Sequence, residues 1–233
     1  MRIAVLRHES GYSDYLAELL DGWGLRFHES VDAAGIPALD PAEAPVLIVP
    51  AGARDEAVAA YANRGGVVIA FLPTGALATA AGWNVVTGKA GGPFRLRMLV
   101  PAAGIAGENL PVVGPAAACE PAKGVRVLAC LYYPNRYEGE TAGITEAVHG
   151  RGRILAFAFD LPRCIWYLRQ GDPARAEWIP PIDTCARPPH MAADPGEGNF
   201  GWIPFADMLS RFLVDLVRAG LGVPAPMLSH LPG

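Results

Sequence analysis

Unbroken apolar runs and helix-spaced apolar stripes alternate along the first third of the chain. Arg2–Arg7 (RIAVLR), Val46–Pro50 (VLIVP) and Val67–Leu72 (VVIAFL) are short and dense in aliphatic residues, the pattern of strands buried on both faces. Between them, Tyr15, Leu16, Leu19, Leu20 and Trp23 recur at helical spacing over Asp14–Trp23, with Gly24 as the stop. A second helix is predicted over Glu56–Asn63, capped by Asp55 and ended by Gly65–Gly66. Arg26–Val31 reads as a further strand and Pro37–Ala44 as a loop. Successive strand–loop–helix units predict a parallel sheet with right-handed crossovers, in the flavodoxin-like or doubly wound α/β class, flanked by helices.

From Gly88 the texture changes. Gly and Pro recur every few residues, and short β-like runs stand at Phe94–Val100, Val125–Tyr133 and Gly143–Val148. Residues 88–150 are therefore expected to form a β-rich antiparallel extension within one domain of residues 1–222. Gly152–Pro173 (GRILAFAFDLPRCIWYLRQGDP) then returns to buried-strand character over Ile154–Phe159. It ends in Asp160, and Pro162 follows where a helix can start without an N–H partner. Asp172–Trp202 lacks periodicity and reads as a long ordered loop. Phe205–Ala219 carries one apolar stripe and is an amphipathic helix closed by Gly220. Residues 223–233, rich in proline, read as a tail or linker, with a further domain expected after Gly233 or a partner for the tail to dock on.

Composition narrows the class of partner. Of the 233 residues 52% are apolar, which excludes a disordered chain. The net charge is −4, with no basic run interleaved with aromatics, so no nucleic-acid partner is expected. No apolar run nears the roughly 20 residues of a bilayer span. The start, MRIAVLRHES, is too short and too charged for a signal peptide, which leads to a cytoplasmic expectation. Cys119, Cys130, Cys164 and Cys185 show no CxxC spacing and read as free thiols. Asp183, Cys185, His190 and Asp194 have metal-ligand types, but their spacing fits no ligand pattern, so neither a metal nor a cofactor is expected. Trp166, Tyr167, Trp178, Phe200, Trp202 and Phe205 crowd one region, the best candidate for a subunit contact.

A parallel sheet gathers the C-terminal ends of its strands on one edge, where open α/β sheets bind ligands. The residues expected there are His8 and Glu9 after the first strand, Arg54 after the third, Thr74 after the fourth, and Asp160 and Arg163 after the last. As a group they suit a small anion or a sugar, with backbone amides at Gly52–Ala53 and Gly75–Ala76 close by. The plainer reading is that Asp160 caps its helix and pairs with Arg163 or Arg54. Arg169 and Asp172, three apart, read as a pair that ties the long loop to the sheet edge.

Two stretches carry a resemblance. In Val46–Gly75, a strand ending in PAGA, a helix, a Gly-Gly pair and a strand ending in LPTG follow one another. In Gly150–Leu161 (GRGRILAFAFDL), a glycine and basic residues precede a buried strand and Asp-Leu. Together they resemble the class I glutamine amidotransferase-like fold, in particular its non-catalytic members, such as the trimerisation domain of bacterial β-galactosidases and related carbohydrate-associated domains. In active amidotransferases a cysteine stands on a Gly-x-Cys-x-Gly elbow, beside amide donors. The corresponding turn here, Phe71–Gly75 (FLPTG), has no cysteine, and Thr74 is its only nucleophile type. The family's late His-Pro-Glu pair is also missing, since His149 is followed by Gly150. The resemblance implies a non-catalytic accessory, oligomerising or ligand-binding domain of a carbohydrate-related protein. The competing expectation is a hydrolase or transferase using the strand-edge pocket, with Asp160 or Glu9 as acid/base and Arg163 or Arg54 holding an anionic group. A free-standing nucleotide binder is disfavoured, because HESGYSDY lacks the glycine spacing of a phosphate loop.

Overall fold

In a computed structural model, residues 1–8, 12–53, 56–89, 94–100, 109–133, 136–170 and 205–222 are described below. The aliphatic runs become strands β1 (Ile3–Leu6), β3 (Val46–Val49), β4 (Val67–Phe71) and β11 (Gly152–Phe157), joined on the outer side of β1 by β2 (His28–Val31). Nearly every side chain of β1, β3, β4 and β11 is buried, because helices cover both faces of a parallel sheet. The helices are α1 (Tyr12–Gly22), α2 (Glu56–Asn63), α3 (Gly75–Ala80), α4 (Leu161–Gln170) and α5 (Phe205–Gly220). The predicted loop at Pro37–Ala44 is partly replaced by a 3-10 turn at Ala33–Ala38, whose Ile36 is fully buried.

The β-rich stretch holds β5 (Trp83–Lys89), β6 (Phe94–Met98), β7 (Asn109–Val112), β8 (Ala116–Pro121), β9 (Arg126–Tyr133) and β10 (Arg136–His149). It is not a separate ribbon. One nine-stranded sheet runs β2-β1-β3-β4-β11-β10-β9-β6-β7, parallel as far as β11 and antiparallel beyond it; β5 and β8 form a second, two-stranded sheet. The architecture is thus mixed α/β, with a large sheet flanked by helices.

The antiparallel half curls back on the parallel half. β7 lies four strands from β11, about 19 Å across a flat sheet. Yet the Pro111 carbonyl, inside β7, accepts from the Cys164 thiol of α4 at 3.8 Å, and the Pro115 carbonyl accepts the Asp160 amide at 3.3 Å. Ala117 N–H donates to Ala158 at 2.7 Å, and Val113 N–H to the Cys164 sulfur at 3.4 Å. The curl encloses Phe94, Leu96, Leu110, Val112, Leu131 and Ile144, all fully buried. It also sets the segment after β7 beside the end of β11, where the strand-edge residues gather.

Candidate functional site

Four strand ends bring the candidate residues to one edge in the order β1, β3, β4, β11. Glu9 and Arg54 lie outside the described residues, as do Asp172, Trp178, Asp183, Cys185, His190, Asp194, Phe200, Trp202 and the tail 223–233. His8 follows β1. Its ring lies over Gly52 at the end of β3, so close that a β-carbon there would sit 3.4 Å from His8 Cε1. Gly52 has φ +88°, which already favours glycine. Three strand spacings, about 14 Å, separate the ends of β1 and β11. That is beyond hydrogen-bond reach, so the sheet does not pair His8 with Asp160.

Thr74 and Asp160 are closer in kind. Phe71 of β4 pairs in register with Phe157 of β11, and each candidate follows its phenylalanine by three residues. Leu72 N–H extends the ladder one step, donating to the Phe157 carbonyl at 2.9 Å. Beyond that step the two chains turn into α3 and α4, and here the two sites diverge.

Asp160 is spent on structure. It stands at the N-cap of α4, and its Oδ1 accepts the Arg163 N–H at 3.2 Å, the bond that an N-cap carboxylate makes to the third helical residue. Only 5% of it is exposed. Burial raises its pKa to about 6, against the opposing pull of the Arg163 amide and charge. The Arg163 guanidinium turns along the helix instead, donating from Nε to the Tyr167 hydroxyl at 2.8 Å and lying 5.1 Å from the centre of its ring. Gly114, with φ +98°, lets the curled segment pass over that pair; a β-carbon there would meet Tyr167 at 3.6 Å.

Thr74 is not spent. It occupies the N-cap position of α3 in extended backbone, yet makes no side-chain cap. Its buried hydroxyl has no hydrogen-bond partner, a condition worth about 1–3 kcal/mol in lost solvation. Two residues earlier Leu72 has φ +42°, alone among the described non-glycine residues in having positive φ. A leucine in left-handed backbone costs about 1–2 kcal/mol. Two separate penalties therefore sit in one four-residue turn.

Burial raises the thiol pKa of both Cys130 and Cys164. Cys164, one turn into α4, is fully buried, and burial pushes its thiol up to about 12. Arg169 donates to Asp207 at 2.8 Å and to Ser210 at 3.3 Å, tying α4 to α5, while its expected partner Asp172 lies outside the described residues. Trp166 packs edge-on to Tyr15 of α1, with ring centres 5.0 Å apart, so this member of the aromatic cluster serves the core between helices. Sequence reasoning missed the Arg163–Tyr167 pair, although its four-residue spacing on a helix was a usable signal. It had no signal for the Leu72 backbone. Among the described residues, no group of three or more His, Cys, Asp or Glu side chains could hold a metal ion. No described helix is long and apolar enough to cross a membrane.

No protein-family model matches the chain, and no curated protein matches its sequence. Solved structures do share the fold. A β-galactosidase from Rahnella sp. R3 superposes with a TM-score of 0.59 at 11% identity, over 99% of this chain and 32% of the enzyme. A β-galactosidase from Bacillus circulans sp. alkalophilus gives 0.54 at 13% identity, over 68% of this chain and 28% of the enzyme. The cytoplasmic protein STM1381 of Salmonella typhimurium LT2 gives 0.56 at 13% identity, over 94% of this chain and 99% of that protein. This chain thus spans about a third of the galactosidases.

Proposed function

We propose that this chain is a non-catalytic accessory unit of a carbohydrate-related protein, one that oligomerises or binds a ligand at the strand edge. Its fold is read as flavodoxin-like and amidotransferase-like, on the strand order β2-β1-β3-β4-β11 and the strand–turn–helix units. The observation that carries the reading is Leu72. An apolar side chain occupies the strained turn where nucleophilic members of such folds need a thiol. The carbohydrate link rests on the similarity to parts of two β-galactosidases, and a cytoplasmic location on the similarity to a protein so described. The second reading, a hydrolase or transferase, draws on Asp160 alone: a buried carboxyl with a pKa near 6 at a sheet edge suits an acid/base. Against it stand the capping bond of Asp160 and the distance to His8.

Light scattering on the purified chain, run beside turnover assays on nitrophenyl glycosides and esters, separates the two. The accessory reading expects a mass of at least twice 24.6 kDa and no turnover above buffer. A monomer that turns over substrate, with activity abolished by Asp160→Asn, overturns it.

A further inference from the structure

We propose that the turn between β4 and α3, Leu72–Gly75, is a two-state switch at the strand edge. In the conformation described, Leu72 is held in left-handed backbone and the Thr74 hydroxyl is buried without a partner. Thr74 already has the extended backbone of an N-cap residue but leaves the first turn of α3 without its cap bond. A second conformation removes these faults together. Leu72 relaxes toward the extended region, and Thr74 turns its hydroxyl to accept an amide N–H of the first turn of α3.

The surroundings allow the change. A β-carbon built on Gly75 meets nothing within 4 Å, and Gly75 and Ala76 are exposed, so the start of α3 has room to move. Both flanks stay fixed: β4 is paired on both sides by β3 and β11, and Leu72 N–H is held by Phe157. The mobile part is thereby confined to the backbone between the Leu72 amide and the first turn of α3. Strain and an unpaired buried hydroxyl in the same turn, at the edge where α/β sheets bind ligands, are what a bistable element requires. A group that binds there and favours the capped state shifts the balance toward it. The inference holds whether the chain proves to be an accessory unit or an enzyme.

The test is nitrogen-15 relaxation dispersion on the whole chain, with Thr74→Val and Thr74→Ser. The wild type is expected to show microsecond-to-millisecond exchange at the amides of Leu72 and Thr74–Leu77. Val68–Phe71 of β4 should give flat profiles. Thr74→Val has no hydroxyl to offer the cap, so its exchange should vanish; Thr74→Ser keeps the hydroxyl and should retain the exchange. Thr74→Val removes only an unpaired group, so its melting temperature is expected to equal or exceed that of the wild type, which keeps the comparison among folded proteins. Flat profiles across Leu72–Leu77 in the wild type overturn the proposal, as does exchange that persists unchanged in Thr74→Val.

Discussion

The two halves of the sheet solve the same burial problem differently. The parallel half fills β1, β3, β4 and β11 largely with buried apolar residues, because helices cover both faces, and leaves only its edge strand β2 (HESV) polar and partly exposed. In the antiparallel half, β10-β9-β6-β7, strand β6 alternates the buried Phe94, Leu96 and Met98 with the less buried Arg95 and Arg97, and the half encloses its apolar side by curling. The first half holds its core between layers, and the second holds it inside its own curvature. The strand-edge residues stand where the two schemes meet, at the end of β11. A buried carboxyl survives there because the curled segment shields it while α4 supplies its hydrogen bond.

Phe157 is where the comparison breaks most visibly. It lies on the shared strand β11, fully buried, with ring contacts to Phe71, Phe159 and Phe212 at 5.2, 5.6 and 6.2 Å. Phe157→Ala leaves a cavity between the sheet and α5 and is expected to cost about 3–5 kcal/mol. Urea unfolding followed by fluorescence and by circular dichroism measures it. If the halves form one cooperative unit, both probes report the same lowered midpoint. Two separated transitions would show that the curled half holds its own core.

The junction itself is read out by pH. The pKa of Asp160 rises from the ordinary 3.8 to about 6 because burial penalises the carboxylate. The folded state therefore binds a proton more tightly than the unfolded chain does. This contribution to stability is fully present below pH 3.8 and is lost as pH rises through 6, a span worth about 3 kcal/mol. Asp160→Asn keeps a capping oxygen and carries no charge, so its stability should lack this component between pH 4 and 7. Urea midpoints measured across that range in both proteins test the sign; a wild type that loses stability relative to Asp160→Asn as pH falls would refute it.

The parallel half was legible in the sequence because burial on both faces writes itself as runs such as VLIV and VVIAF. Glu56–Asn63 was predicted to the residue, since an Asp in the sequence before it and a Gly-Gly pair after it mark its ends. The antiparallel half was legible only in part. β5, β7 and β8 were not foreseen, because β7 is four residues long with a proline inside and β8 reads AAACEP, neither of which alternates strongly. The site was readable as a list of strand-end residues and not as an arrangement. Register set Thr74 level with Asp160, and the left-handed Leu72 follows from how β4 turns into α3 rather than from residue type.

The smallest effect sharpens the difference in tightness between the halves. Gly143 lies on β10, inside the curl, where a β-carbon would meet Leu96 Cδ1 at 2.9 Å, Leu131 Cγ at 3.0 Å and the backbone of Cys130 at 3.1 Å. Two of these are leucine side-chain atoms, which shift more readily than backbone does. Gly152, on the parallel side of β11, would instead drive its β-carbon into the carbonyls of Gly66 at 2.1 Å and Ala62 at 2.4 Å, which are backbone and cannot yield alone. Gly143→Ala is therefore expected to cost about 1 kcal/mol, at the lower end of overpacking, and to leave the chain folded. Gly152→Ala should cost more, because relief there requires the end of α2 and its turn into β4 to move away from β11. Thermal denaturation of the two variants side by side decides it. If Gly143→Ala proves the more damaging, the curled half is packed as rigidly as the layered half, and its curvature tolerates no added methyl group.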